Sequence, residues 1–235
     1  KKNAGFILRE LQMDGRLVRT WKEGKAKLNG YVEDYANVAD GLVELFQVTG
    51  DAEYLTEAKR LADVMITEFW DAECGGFFFT SNDHEQLVVR NKDLYDNATP
   101  SGNSVAADVL LKLAKLTGED KYERFAVTVL RLTASQIRRH PQGFGRALSA
   151  LEFHLEQTIE IVIVGEKGNE LERIALAGYH PDAVVVLGRG GDDHGLPLLV
   201  DRSAIGGEPT AYVCRDHVCQ RPVTNGAELK SAIRN

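Results

Sequence analysis

Two groups of polar residues stand out for what they can do to a small molecule. Trp21, Lys22, Glu33, Asp34 and Tyr35 form the first, and Arg90, Lys92, Asp93, Asp96, Ser101 and Asn103 the second. Carboxylates beside a planar aromatic ring suit a polyhydroxylated ligand such as a sugar. The ring covers apolar C–H faces, and the carboxylates accept hydroxyl protons or do acid/base work. In this reading Asp34, Asp93 and Asp96 are the candidate catalytic groups, and Trp21, Lys22, Glu33, Tyr35, Arg90, Lys92, Ser101 and Asn103 hold the substrate. A purely structural reading stands beside it: Asp34, Ser101 and Asn103 are good helix caps, and Arg90 or Lys92 can pair with Asp93 or Asp96 on a solvated loop.

The elements that must position these groups repeat. Leu45–Tyr54 (LFQVTGDAEY) aligns with Leu113–Tyr122 (LAKLTGEDKY) at an offset of 68, and Ala39, Leu42, Ala58 and Leu61 fall on Ala107, Leu110, Ala126 and Val129. Within each copy, apolar residues recur at three- and four-residue steps on both sides of Thr-Gly, which predicts a helical hairpin with Gly50 or Gly118 as left-handed cap and Asp51 capping the next helix. The first helix of each pair is rich in small residues (Ala36, Ala39, Gly41; Ala106, Ala107), which lets neighbouring backbones approach on several sides. Such helices belong to an inner layer. Gly75–Thr80 and Leu87–Arg90 read as a β-hairpin before the second unit, and Leu17–Trp21 as a strand before the first. After a helix over 146–157, the apolar runs at Ile159–Gly165, Ala183–Gly188 and Thr210–Cys214, with helical stretches at 168–177 and 227–233, predict a small α/β lobe with parallel strands. The expected division is therefore residues 1–158 as helical hairpins and 159–235 as the lobe.

Composition narrows the function classes. The 235 residues are 43% hydrophobic and 27% charged, ordinary globular values, and no apolar run approaches the roughly 20 residues that span a bilayer. Basic residues number 28 against 35 acidic, a net charge of -7 that gives no reason to hold a phosphate backbone, so neither membrane nor nucleic acid is an expected partner. Three cysteines do not make a disulfide framework, and nothing at the N-terminus reads as a signal peptide, so the expected location is cytoplasmic. The chain starts on Lys1-Lys2-Asn3 rather than Met, with Phe6, Ile7, Leu8 and Leu11 following at once, which reads as a piece of something longer.

Glu33-Asp34-Tyr35-Ala36, Phe69-Trp70-Asp71, Gly75-Gly76-Phe77-Phe78, Pro100-Ser101-Gly102-Asn103-Ser104, Glu160–Gly165 (EIVIVG) and Thr210–Cys214 (TAYVC) together resemble the C-terminal portion of the spermatogenesis-associated, thioredoxin-like-domain protein family. The resemblance covers nearly the whole chain, and several motifs in one order make it specific. It implies a longer protein: a thioredoxin-like domain, then an (α/α)6 toroid similar to N-acylglucosamine 2-epimerases and six-hairpin glycosidases. This chain would be the toroid's last hairpins plus the α/β lobe, mostly α, with the preceding toroid and thioredoxin-like segments as its missing partners. Toroid loops leading into the inner helices line one end of the cavity. Asp34, and Asn103 one residue from its counterpart at the 68-residue offset, would then aim into the same end. The function implied is a carbohydrate-active enzyme of isomerase, epimerase or hydrolase type. The alternative, from another class, is a non-catalytic scaffold supporting a thioredoxin-like domain or a protein partner.

Other motifs offer less. Of the six histidines only His154 falls on an inner-type helix, where a satisfied core-edge histidine is its ordinary reading, and no catalytic histidine pair matches this sequence. Cys214, His217 and Cys219 give C-x2-H-x-C, three ligands where structural zinc needs four, so two thiols flanking a turn is the expectation, with no metal and no cofactor. Gly188-Arg189-Gly190-Gly191 departs from G-x-G-x-x-G and reads as a loop.

Overall fold

Helix α1 (Lys2–Glu10) leads into a three-stranded antiparallel meander, β1 (Gln12–Met13), β2 (Arg16–Lys22) and β3 (Lys25–Asn29). The computed structural model describes residues 1–84, 89–189, 195–215 and 218–234. The strand expected at Leu17–Trp21 is β2. Strand β3 has no counterpart in the sequence reading, because Lys25-Ala26-Lys27-Leu28-Asn29 carries no apolar alternation, and it pairs through Trp21↔Ala26 and Thr20↔Lys27. Glu23 and Gly24, both at positive φ (53° and 75°), close the turn.

The repeat builds two antiparallel hairpins, α2 (Val32–Thr49) with α3 (Ala52–Phe69), and α4 (Gly102–Thr117) with α5 (Asp120–Arg139). Gly50 and Gly118 each sit at φ 71° as left-handed caps, returning their N–H to Phe46 and Ala114. Asp51 does not cap α3; its carboxylate instead takes the Lys1 ammonium at 2.6 Å. Helices α2, α4 and α6 (Gly145–Leu155) lie side by side as one layer, with α3 and α5 covering the backs of α2 and α4. Of the small residues expected to allow this, Ala36, Ala39, Ala106 and Ala107 are fully buried, whereas Gly41 is exposed; α4 is buried at every position from Gly102 to Leu111. Tyr35, Phe46, Phe69, Leu61, Met65 and Tyr122 fill the space between the layers.

The β-hairpin expected over Gly75–Thr80 and Leu87–Arg90 is not a regular one among the described residues. Gly75 and Gly76 both take positive φ (74° and 79°), Phe77 bridges back to Trp70, and the Phe79 N–H donates to the Asn91 carbonyl at 2.7 Å. Leu87 and Val88 lie outside the described residues.

Strand β4 (Ile159–Val164) begins the second sheet region, followed by α7 (Glu170–Ala177), β5 (Ala183–Gly188), β6 (Thr210–Arg215), β7 (Val218–Cys219) and α8 (Gly226–Arg234). The sheet order is β5-β4-β6-β7, with β4 and β5 parallel as the strand-helix-strand pattern requires, and β6 antiparallel to β4. Both parallel strands are buried at every residue because both faces are covered. Val162, Val164, Val184 and Val186 join the helical core, while Ile161, Ile163, Val185 and Leu187 pack with Leu171, Leu229 and Ile233 of α7 and α8. The whole is a mixed, α-rich fold. The loop expected at 188–191 extends beyond the described residues from Gly190 onward.

Candidate functional site

Where β2 passes the start of α2, a cleft of about 450 Å3 opens between α1, β2, α2 and the Thr99-Pro100 loop. Leu11, Leu17 and Val38 line its apolar side; Arg19, Glu33, Asp34 and Asn37 line its polar side. Strand geometry delivers Arg19 to the helix start, where its Nη1 lies 2.8 Å from Glu33 Oε1 and 3.1 Å from Asp34 Oδ2. Asp34 Oδ2 also accepts the Tyr31 N–H at 2.8 Å, half of a capping box at α2. The Arg19 guanidinium lies 4.6 Å over the Tyr31 ring, which stacks on Phe79 with centroids 4.5 Å apart. Burial pushes the Asp34 carboxyl above its ordinary pKa, outweighing the Tyr31 N–H and Arg19, which pull it down.

Further along the same helix layer lies a charge network that the sequence reading did not pick out. Arg146 of α6 reaches Asp40 Oδ1 of α2 at 2.9 Å and Asp108 Oδ2 of α4 at 2.5 Å. Lys112 donates to Glu44 Oε1 at 2.7 Å and lies 3.5 Å from Asp108 and 3.8 Å from Asp40. Asp40 and Asp108, like Glu44 and Lys112, are related by the 68-residue repeat. The offset that revealed the hairpins was thus also the signal for the network. Burial raises the Asp40 carboxyl against the opposing pull of Lys112 and Arg146. Burial works against the Lys112 ammonium, yet Asp108, Glu44 and Asp40 outweigh it and raise its pKa. Beside this network Asn37 and Glu44 are exposed, and a side chain at Gly41 would meet nothing within 4 Å.

Of the residues expected to form a site, the cleft brings together Glu33 and Asp34, and Arg19, unforeseen in sequence, joins them. Tyr35 is only 1% exposed, and its hydroxyl accepts from the Leu17 N–H at 2.8 Å and Arg16 Nε at 3.2 Å. Trp21 is 43% exposed near the end of β2, edge-on to Phe6, and with Lys22 lies outside the cleft lining.

The second group is held by its own backbone. Asn103, 1% exposed, accepts the Phe77 N–H at 2.7 Å and donates to the carbonyls of Phe77 and Asp93 at 2.9 and 2.8 Å. Ser101 caps α4 by accepting the Ser104 N–H. Asp96 accepts the N–H groups of Ser101 and Arg146, both at 2.8 Å, and so ties the start of α4 to that of α6. Asp93 accepts weakly from the Tyr95 N–H at 3.4 Å. Lys92 binds Asp71 Oδ2 and the Gly75 carbonyl, both at 2.5 Å. Arg90 lies 4.2 Å over the Phe78 ring and donates to Thr80 O and Asn82 Oδ1. The structure therefore does not bring Trp21, Arg90 and Asn103 to the cleft beside Asp34. Gly102, the true counterpart of Asp34, faces α2 so closely that a Cβ would lie 2.8 Å from Val32 Cγ1 and 3.0 Å from the Glu33 nitrogen.

Cys214 and Cys219 are not the two free thiols expected. They stand directly opposite in the β6–β7 pairing and are joined as a disulfide, leaving exposed Cys74 as the free cysteine. His217 lies outside the described residues. Among the described residues no three His, Cys, Asp or Glu side chains converge as a metal site. No helix is long and apolar enough to cross a membrane among these residues. His154 pairs with Glu123 at 3.3 Å on the edge of the helical core.

No family model matches the chain. It is homologous over most of its length to spermatogenesis-associated protein 20: 31% identical to the Homo sapiens protein over 93% of this chain and 30% of that one, and 30% identical to the Rattus norvegicus protein over 87% and 27%. An uncharacterized protein of Caenorhabditis elegans is 26% identical over 98% of this chain and 33% of its own. The chain spans about a third of the length of these relatives.

Proposed function

We propose that the chain forms part of an α/α toroid whose inner layer, α2, α4 and α6, presents a binding face for a polyhydroxylated small molecule, in a carbohydrate-active enzyme of isomerase or hydrolase type. The rest of the ring, and a thioredoxin-like domain, would come from segments outside these residues. The observation that carries the reading is the two sets of paired charges on this layer and the strand beside it, Arg19, Glu33 and Asp34 in the cleft and Asp40, Asp108, Lys112 and Arg146 farther along the helices. Arginine–carboxylate pairs offer fixed donors and acceptors to ring hydroxyls. Asp34 and Asp40, whose carboxyls burial pushes up, are the groups assigned in this reading to acid/base work on a leaving or ring oxygen. Asp93 and Asp96, catalytic candidates in the sequence, are left out of this set, Asp96 because it accepts the backbone N–H groups of Ser101 and Arg146.

A thermal-shift screen of the full-length protein against sugars and sugar phosphates tests it, followed by titration calorimetry on Asp34→Asn, Asp40→Asn and Arg146→Gln. The expected result is a ligand whose affinity falls at least tenfold in two of the three folded variants. The scaffold reading is favoured by the structural use of Asn103, Ser101 and Asp96, and it would stand if no ligand shifts the melting temperature or if all three variants bind as the wild type does.

A further inference from the structure

The two sulfurs of the Cys214–Cys219 disulfide are unequal. Cys214 is fully buried on β6, whereas Cys219 is exposed on the edge strand β7. The Arg202 guanidinium sits against both, its Nη2 3.1 Å from Cys214 Sγ and 3.3 Å from Cys219 Sγ. Arg202 Nη1 is buried and makes no hydrogen bond among the described residues, and the guanidinium lies 5.6 Å from the Tyr212 ring. Tyr212 is itself held, its hydroxyl donating to the Ser203 carbonyl at 2.7 Å. Across the sheet the residue in register with Cys214 is Glu160 of β4, fully buried, whose charge also acts on Arg202. The next charged residue on β6, Arg215, turns to the Ile233 carbonyl at 2.9 Å.

We infer that this disulfide is an exchange site for low-molecular-weight thiols, in which Cys219 receives the attack and Cys214 is the leaving group. The assignment follows from access and charge. An incoming thiolate approaches the exposed residue Cys219 and not the fully buried Cys214, and a thiolate released inside the protein needs a cation beside it, which Arg202 supplies. The small thiol, deprotonated, attacks Cys219 Sγ. A bond forms between its sulfur and Cys219, the Cys214–Cys219 bond breaks, and the electron pair goes to Cys214 Sγ next to the guanidinium. A second small thiolate attacks the outer sulfur of the mixed disulfide, releasing Cys219 as a thiolate and a symmetrical small disulfide. In sum two small thiols are oxidised to one disulfide, the protein disulfide is reduced to two thiols, and the protons balance through solvent. The reverse sequence reoxidises the pair.

The test uses Cys74→Ser chain, which removes the exposed free thiol, in glutathione buffers of graded reduced-to-oxidised ratio. Samples are quenched by alkylation and mapped by mass spectrometry. The expected result is a reversible disulfide–dithiol equilibrium with glutathione trapped on Cys219 and not on Cys214. Arg202→Gln should slow reduction by about tenfold at neutral pH, and Arg202→Lys should retain most of the rate. Glutathione found on Cys214, no disulfide at any ratio, or an unchanged rate in Arg202→Gln would overturn the inference. Should Arg202→Gln fail to fold by circular dichroism, the site of glutathione attachment in the Cys74→Ser chain and the rate in Arg202→Lys still decide.

Discussion

Asp40 and Asp108, one repeat apart, lie on adjacent helices and close on the same guanidinium, that of Arg146 on a third. A duplicated unit has thus placed two like charges face to face, and the following helix supplies the cation that makes their proximity tolerable. Replacing Arg146 by Gln leaves the two carboxylates, one nearly buried, without it. Breaking a buried pair costs about 3–5 kcal/mol. Arg146 keeps 27% side-chain exposure, so solvent screening brings the expected loss to about 2 kcal/mol. Urea denaturation measures it, and adding Asp108→Asn should recover part of the loss. A variant as stable as the wild type would show that Lys112 alone balances both acids.

Asn103→Ala removes two donors and an acceptor from the backbone of Phe77 and Asp93. The expected destabilisation is about 3 kcal/mol, because the Phe77 N–H and carbonyl stay buried and unsatisfied. Chemical denaturation checks the size. An unaltered midpoint would mean that water replaces the amide and that the side chain is available for a ligand after all.

Gly50 and Gly118 share a φ of 71°, so alanine at either pays the left-handed cost of about 1 kcal/mol. Their surroundings differ. A Cβ at Gly50 would lie 2.8 Å from the Leu187 backbone oxygen, whereas one at Gly118 meets only Pro197 Cγ at 3.3 Å. Gly50→Ala should therefore lower the melting temperature clearly more than Gly118→Ala. Equal melting temperatures would show that β5 moves aside.

Asp71 binds Lys92 and accepts two backbone N–H groups, and together these hold its carboxyl down at about 2, Lys92 contributing most. A depressed carboxyl stabilises the fold above the unfolded-state value of 3.8 and loses that contribution as pH falls through about 2. The gap in stability between wild type and Asp71→Asn should be full at pH 6, narrow below pH 4 and close near pH 2. Thermal melts across that range would reveal a charge-independent role if the gap stays constant.

The helices were legible because apolar spacing and a repeated Thr-Gly are local signals, and the buried strands because Ile159–Val164 and Ala183–Gly188 are short β-branched runs. Strand β3 was not, since a polar strand on a solvated meander shows no period. The lining of the cleft was half legible. Glu33 and Asp34 were found through their place at a helix start, but which cation meets them depends on how β2 passes that helix, a tertiary fact. Asn103 and Asp96 look like ligand-binding residues in sequence because an amide that holds a loop together has the same chemistry as one that holds a substrate. The disulfide was missed for a similar reason: a five-residue separation gives a bond only once β6 and β7 pair in that register.

Among the described residues strand β5 pairs with β4 alone and so forms a rim of the sheet. On that rim the Val185 N–H is met by the Gln47 side-chain oxygen of α2 at 2.9 Å. A parallel strand of valines with one free side is a template for another molecule's strand, and α2 covers that side with one amide and the packing around it. Without α2 that rim would be bare, so the helix is expected to guard against intermolecular β-pairing as well as to pack in the fold.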